Sequence, residues 1–260
     1  FCAFLCYIAF FKLTGERVEV PASNQMISAS AIFKSIFTNK ALLGIIVAAI
    51  FVLLSQLTVM SLAGYVYPNV YGSAAAQSTA SLLGTVVMQV VCAPIATKLS
   101  AKFGKKELAK GSSILSALVW LVCLIWRPAS VWGFVACYIL ANIGMGFFNT
   151  IIWAMITDVI DDAEVRNGVR EDGTIYSVYS FARKLGQAFS SGLVGALLGI
   201  IGYTEATAFD PAVTRGIFNM ACIAPIIGFV CIVLALAFLY PLNKKKVEEN
   251  VAELAARRNK

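Results

Sequence analysis

Six runs of apolar residues, at roughly 41–67, 77–97, 111–126, 131–156, 174–202 and 216–240, alternate with short polar connectors along the chain. Each comes close to the stretch of about 20 residues that a helix needs to cross the hydrocarbon core of a bilayer. Backbone N–H and C=O groups find no water in that core, so an apolar run of this length bonds to itself as a helix. The chain therefore reads as an all-α membrane protein. Charged residues make up only 13% of it, against about 25% in soluble domains, and the mean hydropathy is +0.80.

The flanks divide the chain further. Residues 1–11, FCAFLCYIAFF, are apolar, with neither a basic segment before them nor a small-residue cleavage site. They read as the end of a membrane helix whose beginning is missing. Residues 12–40 read as a cytoplasmic connector in which Ile32, Phe33, Ile36 and Phe37 recur at helical spacing, the pattern of an amphipathic helix on a membrane surface. A six-helix bundle is expected over 41–240 and a basic cytoplasmic tail over 241–260.

The net charge of +7 would suggest nucleic acid in a soluble chain, but its distribution argues for membrane orientation instead. Of the 21 Lys and Arg residues, only Arg127 and Arg215 fall in the opposite connectors and only Arg183 and Lys184 within a span. Basic short loops mark the cytoplasmic side. Both chain ends are thus expected in the cytoplasm, on a multi-pass protein of the cell membrane with lipid around it and no nucleic-acid partner. The seven cysteines lie in apolar runs without a CxxC pair and read as packing residues. With no His in the chain, no metal site is expected.

Against this apolar background one cation stands out. Lys184 lies about ten residues into the fifth run, roughly 15 Å along a helix and near the middle of the core. A lysine there costs about 2.5–3.5 kcal/mol, so it should face a cavity or a partner, unless it snorkels to the interface. Ser177, Ser180, Lys184, Gln187 and Ser191 share one helix face, which is expected to look inward. Arg183 points about 100° away, with snorkelling, binding of cytoplasmic acids and lining of a pathway all open to it. None of the 14 acids lies inside a run, so the counter-charge for Lys184 should come from elsewhere. Gly192, Gly195, Gly199 and Gly202 follow at spacings that let a neighbouring helix approach closely.

The fourth run places Asn142, Asn149 and Trp153 on a common face. An amide can bond sugar hydroxyls and an indole suits the face of a pyranose ring, although interhelical bonding and interfacial anchoring explain the same residues. Gln56 and Gln89 are similar buried polar candidates.

From Asp158 onward, DVIDDAE, NGVREDG and IYSVYSFARKLGQAF follow one another. This segment resembles the glycoside-pentoside-hexuronide:cation symporters, the melibiose-carrier group of the major facilitator superfamily. Asp158, Asp161, Glu164, Gly168, Arg170, Gly173, Tyr176, Ser177, Lys184 and Gly186 carry the resemblance. It implies the C-terminal six-helix bundle of a major facilitator fold, plus the end of a preceding helix, from a carrier of twelve helices. It also implies a substrate and cation site at Lys184, and a cytoplasmic gate at Asp158, Asp161 and Glu164 with Arg170. The coupling cation, Na⁺ or H⁺, is expected mainly on the missing N-terminal six-helix bundle.

The resulting expectation is a secondary active transporter of sugars or glycosides, present as a C-terminal fragment. Lys184, Gln187, Ser180, Asn149, Trp153, Asn142 and Arg183 are its candidate binding residues. A carrier-like sensor or scaffold, or a lipid carrier of the same superfamily, stand as alternatives. An enzyme is not expected: there is no His, no GxSxG and no carboxylate within the runs, and hence no catalytic residue or cofactor.

Overall fold

A computed structural model describes residues 2–14 and 39–258. The amphipathic helix expected around Ile32–Phe37 lies outside them. Helix α1 (Cys2–Leu13) is a short apolar helix belonging to a unit separate from the rest of the chain.

The remaining described residues form six long helices and one shorter one. They are α2 (Lys40–Val70), α3 (Ala74–Phe103), α4 (Lys105–Trp126), α5 (Val131–Asn167), α6 (Asp172–Ile200), α7 (Pro211–Leu239) and α8 (Lys244–Arg258). There is no strand among the described residues. Five of the long helices are both long and apolar enough to cross a bilayer. The sixth, α6, has 29 residues but is more polar than the others, and one of its faces explains why.

Helix ends follow local chemistry. The Asn39 side chain accepts from Leu42 N–H at the start of α2, and Ser130 does the same for Trp132 at the start of α5. The turn from α3 to α4 is made by Gly104 alone, at φ 91°, where a side chain would be strained. Three π-helical segments, Val66–Val70, Val87–Cys92 and Ala235–Leu239, each contain a proline or precede one by two residues: Pro68, Pro94 and Pro241. Proline has no N–H for the carbonyl four residues back, so bonding shifts to a longer repeat. Tyr240 N–H, for example, donates to the Ala235 carbonyl at 3.2 Å.

The helices pack as an arc in the order α6, α2, α7, α4, α5 and α3, with α2 touching α5 across its middle. Small residues allow the closest approaches. A Cβ on Gly186 of α6 would stand 2.8 Å from the Ile50 carbonyl oxygen of α2, so only glycine fits there. The α6 face around Gly186, comprising Ile175, Val178, Tyr179, Ala182, Ser190 and Val194, is the buried one. The close approach expected at Gly192, Gly195, Gly199 and Gly202 does not occur among the described residues, where a Cβ on any of the four would meet nothing within 4 Å. Those glycines fall on other sides of α6 once its apolar face is turned to α2, or, for Gly202, past its end.

Both ends of the bundle are tied by cross-links. At one end Tyr71 after α2 donates to the Pro128 carbonyl after α4, and Arg127 donates to Asn219 of α7. The opposite end carries most of the lysines and arginines. There α8 folds back on α5, with Asn250 donating to Asp162 at 3.1 Å and Arg257 to the Val165 carbonyl at 3.1 Å.

Candidate functional site

The two ends of the arc, α3 and α6, flank a cavity of about 470 Å³. It is lined by Gln56 of α2, by Met88, Gln89 and Ala93 of α3, by Gly146, Asn149, Thr150 and Trp153 of α5, and by Arg183 of α6. Met88 and Gln89 are presented by the π-helical turn of α3, whose extra residue per turn rotates side chains off the regular helical face. Asn149 donates to the Gln56 side chain at 3.5 Å, a long contact between two amides whose remaining donors and acceptors bond no other described residue.

Arg183 and Trp153 form the polar-aromatic corner of this cavity. The guanidinium carbon lies 5.4 Å from the Trp153 ring centroid and 5.7 Å from that of Tyr179. The guanidinium donates to the Tyr179 hydroxyl at 3.2 Å, and the Trp153 and Tyr179 rings meet edge to face at 5.6 Å. Trp153 remains 48% exposed, so much of its surface is free for a ligand. Tyr179 was not among the expected residues; it precedes Arg183 by one helical turn, the spacing that brings the two side chains together.

A smaller cavity of about 160 Å³ adjoins it, sharing Gln56 and Met88. Asn142 lines this second space and donates to the Tyr138 carbonyl of its own helix at 2.8 Å. The structure thus brings Asn149, Trp153 and Arg183 together and sets Asn142 next door.

Lys184, Ser180 and Gln187 lie elsewhere. The stripe from Ser177 to Ser191, expected to look inward, is the open face of α6: Ser177, Ser180, Lys184 and Ser191 are exposed, and Gln187 is partly so. The cause is the apolar face on the other side, which takes the contact with α2. Lys184 donates to Gln187 Oε1 at 3.1 Å. Among the described residues neither Arg183 nor Lys184 pairs with a carboxylate.

A charged network crowns the basic end. Asp158, only 5% exposed, pairs with Lys105 at 2.6 Å, and the same ammonium donates to the Ala154 carbonyl. A single guanidinium, Arg170, bonds Asp161 at 2.9 Å, Glu164 at 2.8 Å and Asp172 at 2.8 Å, fastening the end of α5 to the start of α6. These three carboxylates hold the Arg170 pKa above its usual value, Glu164 foremost. Arg258 of α8 adds a second cation to Glu164 at 3.2 Å. Asp158, Asp161, Glu164 and Arg170 therefore share one region, with Lys105, Asp172 and Arg258 as members that the sequence did not single out. Lys105 is one of the basic residues that mark the cytoplasmic side, and Arg258 lies in the basic tail.

Long apolar helices around a half-open polar cavity, with an ion-paired network at the basic end of the bundle, define the class: a multi-pass membrane protein. The chain belongs to the MFS/sugar transport protein family, which it matches over residues 2–244. It is 28% identical over 255 residues to the glucuronide carrier protein homolog of Escherichia coli, covering 97% of this chain and 54% of that protein. It is 29% identical over 262 residues to the uncharacterized symporter YjmB of Bacillus subtilis, covering 98% and 54%. A protein of E. coli provisionally described as a sulfoquinovose importer is 30% identical over 178 residues, 68% of this chain and 37% of the relative. The chain spans about half the length of the first two.

Proposed function

We propose that this chain is the C-terminal half of a sugar:cation symporter working by alternating access, with its substrate site at the cavity between α3 and α6. The observation that carries this reading is the lining of that cavity. Gln56, Gln89, Asn149 and Thr150 offer bonds to hydroxyls, while Trp153 offers a flat apolar surface. Relatives named for a glucuronide and for symport support a glycoside substrate and a coupled cation.

On this reading a second six-helix bundle covers the open side. It shields Ser180, Lys184 and Gln187, since a lysine and serines on a helix face are poorly suited to lipid. It also supplies the acids that balance Lys184 and hold most of the contacts to Na⁺ or H⁺. Residues 12–40 connect the two bundles, 41–240 form the half described above, and 241–260 are the tail. The basic end faces the cytoplasm of the cell membrane, with both chain ends on that side. Asp158, Asp161, Glu164 and Arg170 form the cytoplasmic gate, and Asn142 tunes the rear wall of the site. Sugar and cation jointly favour closure, a coupling of binding equilibria with no covalent step or cofactor.

The test is gradient-driven uptake by the complete carrier in liposomes. Labelled glycosides should accumulate above equilibrium under an imposed Na⁺ or H⁺ gradient, and lose that accumulation when the gradient is collapsed. Binding of glycosides with neither accumulation nor exchange contradicts the reading.

A further inference from the structure

A cavity of about 330 Å³ lies at the turn between α3 and α4 and shares no lining residue with the cavity of Asn149 and Trp153. Its charged lining is Lys105 and Lys106 of α4, Lys244 and Glu248 of α8, and Asp158 of α5. Two helices begin here on lysines, α4 with Lys105 and Lys106, and α8 with Lys244, Lys245 and Lys246. A helix start is the positive end of its dipole, so cations are unfavourable there and an anion is favourable. The two starts also touch, since a Cβ on Gly104 would stand 3.0 Å from Lys244 Cβ.

Contacts within the protein use only part of what this cluster offers. Each ammonium has three N–H donors. Lys106 gives one to the Tyr240 carbonyl at 2.6 Å, and Lys244 gives one to the Ala101 carbonyl at 2.8 Å and lies 3.9 Å from Glu248. Asp158, 5% exposed, takes Lys105 on Oδ1, while its buried Oδ2 has no partner among the described residues. A buried oxygen left in that state is costly, and it calls for a donor. Three ammoniums against two carboxylates leave one positive charge in the lining. The missing group is therefore one that carries a single negative charge and also donates a hydrogen bond. The turn joins two helices long and apolar enough to cross a bilayer, which puts the cavity at the depth of lipid headgroups. Phe103, next to the turn, is exposed where acyl chains would meet it.

We propose that this cavity binds the headgroup of an anionic phospholipid of the phosphatidylglycerol type. Its phosphate takes the spare N–H donors of Lys106 and Lys244, and a hydroxyl of its glycerol donates to Asp158 Oδ2. A choline headgroup has no N–H or O–H to give that oxygen. An ethanolamine headgroup has donors but no net charge, so it leaves one lysine unmatched. Basic pockets between membrane helices take lipid headgroups by the same electrostatics. A lipid seated here ties α8 to the turn between α3 and α4, whatever solute the protein carries.

The test is lipid binding to the complete protein in detergent micelles, read by native mass spectrometry as the fraction of protein ions that keep one lipid. Four lipids with the same acyl chains are compared: phosphatidylglycerol, phosphatidylmethanol, which has the same charge but no hydroxyl, phosphatidylethanolamine and phosphatidylcholine. Phosphatidylglycerol should bind about tenfold more tightly than any of the other three, and free glycerol 3-phosphate at equal concentration should not displace it. Lys106→Ala and Lys244→Ala should each weaken it about fivefold. Lys98→Ala, which removes a lysine of α3 outside the cavity, should change it less than about twofold. Equal retention of phosphatidylethanolamine or phosphatidylcholine overturns the inference, as does retention of no lipid. Equal retention of phosphatidylmethanol removes the hydroxyl contact to Asp158 and overturns it too. Displacement by glycerol 3-phosphate makes the occupant a soluble ion, and an equal loss in Lys98→Ala makes the attraction one of the whole basic surface; either result contradicts a lipid site here. The order of the lipids is measured on the wild-type protein, so a poorly folding lysine variant does not shield the proposal. None of these outcomes bears on the sugar-carrier reading.

Discussion

Lys105, the first residue of α4, meets Asp158, about two and a half turns before the end of α5, at 2.6 Å, and this ion pair joins two helices at the basic end of the bundle. Asp158 is buried and its second oxygen, Oδ2, has no hydrogen-bond partner among the described residues, so the carboxylate depends heavily on this lysine. Lys105→Met should lower the unfolding temperature in detergent, at a cost of about 1–3 kcal/mol, by stranding a buried charge. Adding Asp158→Asn should recover part of the loss, because a neutral amide tolerates that position better. A double variant less stable than Lys105→Met contradicts this account.

Among the described residues Arg170 is the one group that touches Asp161, Glu164 and Asp172 together. Arg170→Ala should loosen the junction of α5 and α6 and speed labelling, from the basic side, of a cysteine placed at Asn149 by a membrane-impermeant maleimide. Arg170→Lys should resemble Arg170→Ala, since an ammonium lacks the fork that bridges several carboxylates. Unchanged labelling rates in both variants would remove the gate role.

Gly186 seats α6 on the Ile50 backbone of α2. Gly186→Val should destabilise the bundle by about 1–3 kcal/mol through overpacking, read as a lower midpoint of thermal aggregation. In the isolated 260-residue chain Gly192→Val should leave that midpoint nearly unchanged, because nothing among the described residues approaches it. Equal effects of the two would refute this packing of α6.

The same contact explains what was legible in the sequence and what was not. Six apolar runs of bilayer length dictate six helices, and the spacing of Asn149 and Trp153 shows that they share a face. Which of the adjacent cations borders the cavity is a different matter. Arg183 and Lys184 differ by about 100° around the helix, so a modest rotation of α6 exchanges their roles. That rotation is set by the fit of Gly186 against Ile50, more than a hundred residues away in sequence. The glutamines show the same limit: Gln56 and Gln89 stand out as polar groups within apolar runs, but Gln89 is exposed and Gln56 half-buried, and both line one cavity beside the π-turn of α3. Docking of α8 through Asn250 onto Asp162 was hidden because a run rich in Lys and Glu looks like any solvated tail.

Lys184 stands on the open face of α6 with Gln187 as its hydrogen-bond partner. In the complete carrier Lys184→Ala should abolish concentrative uptake of labelled glycoside while its amount in the membrane stays normal. Accumulation at the wild-type level would mean that this lysine has no part in coupling.

The central claim is that the Trp153 and Asn149 cavity binds the sugar that the carrier moves, and counterflow addresses it most directly. Liposomes bearing the complete carrier are loaded with unlabelled glycoside, and entry of labelled glycoside is followed without any ion gradient. The account predicts a transient overshoot in the wild-type carrier and its loss in Trp153→Ala, with normal amounts of protein in the membrane. An undiminished overshoot in Trp153→Ala, or glycoside binding by the wild-type carrier with no overshoot at all, would contradict it.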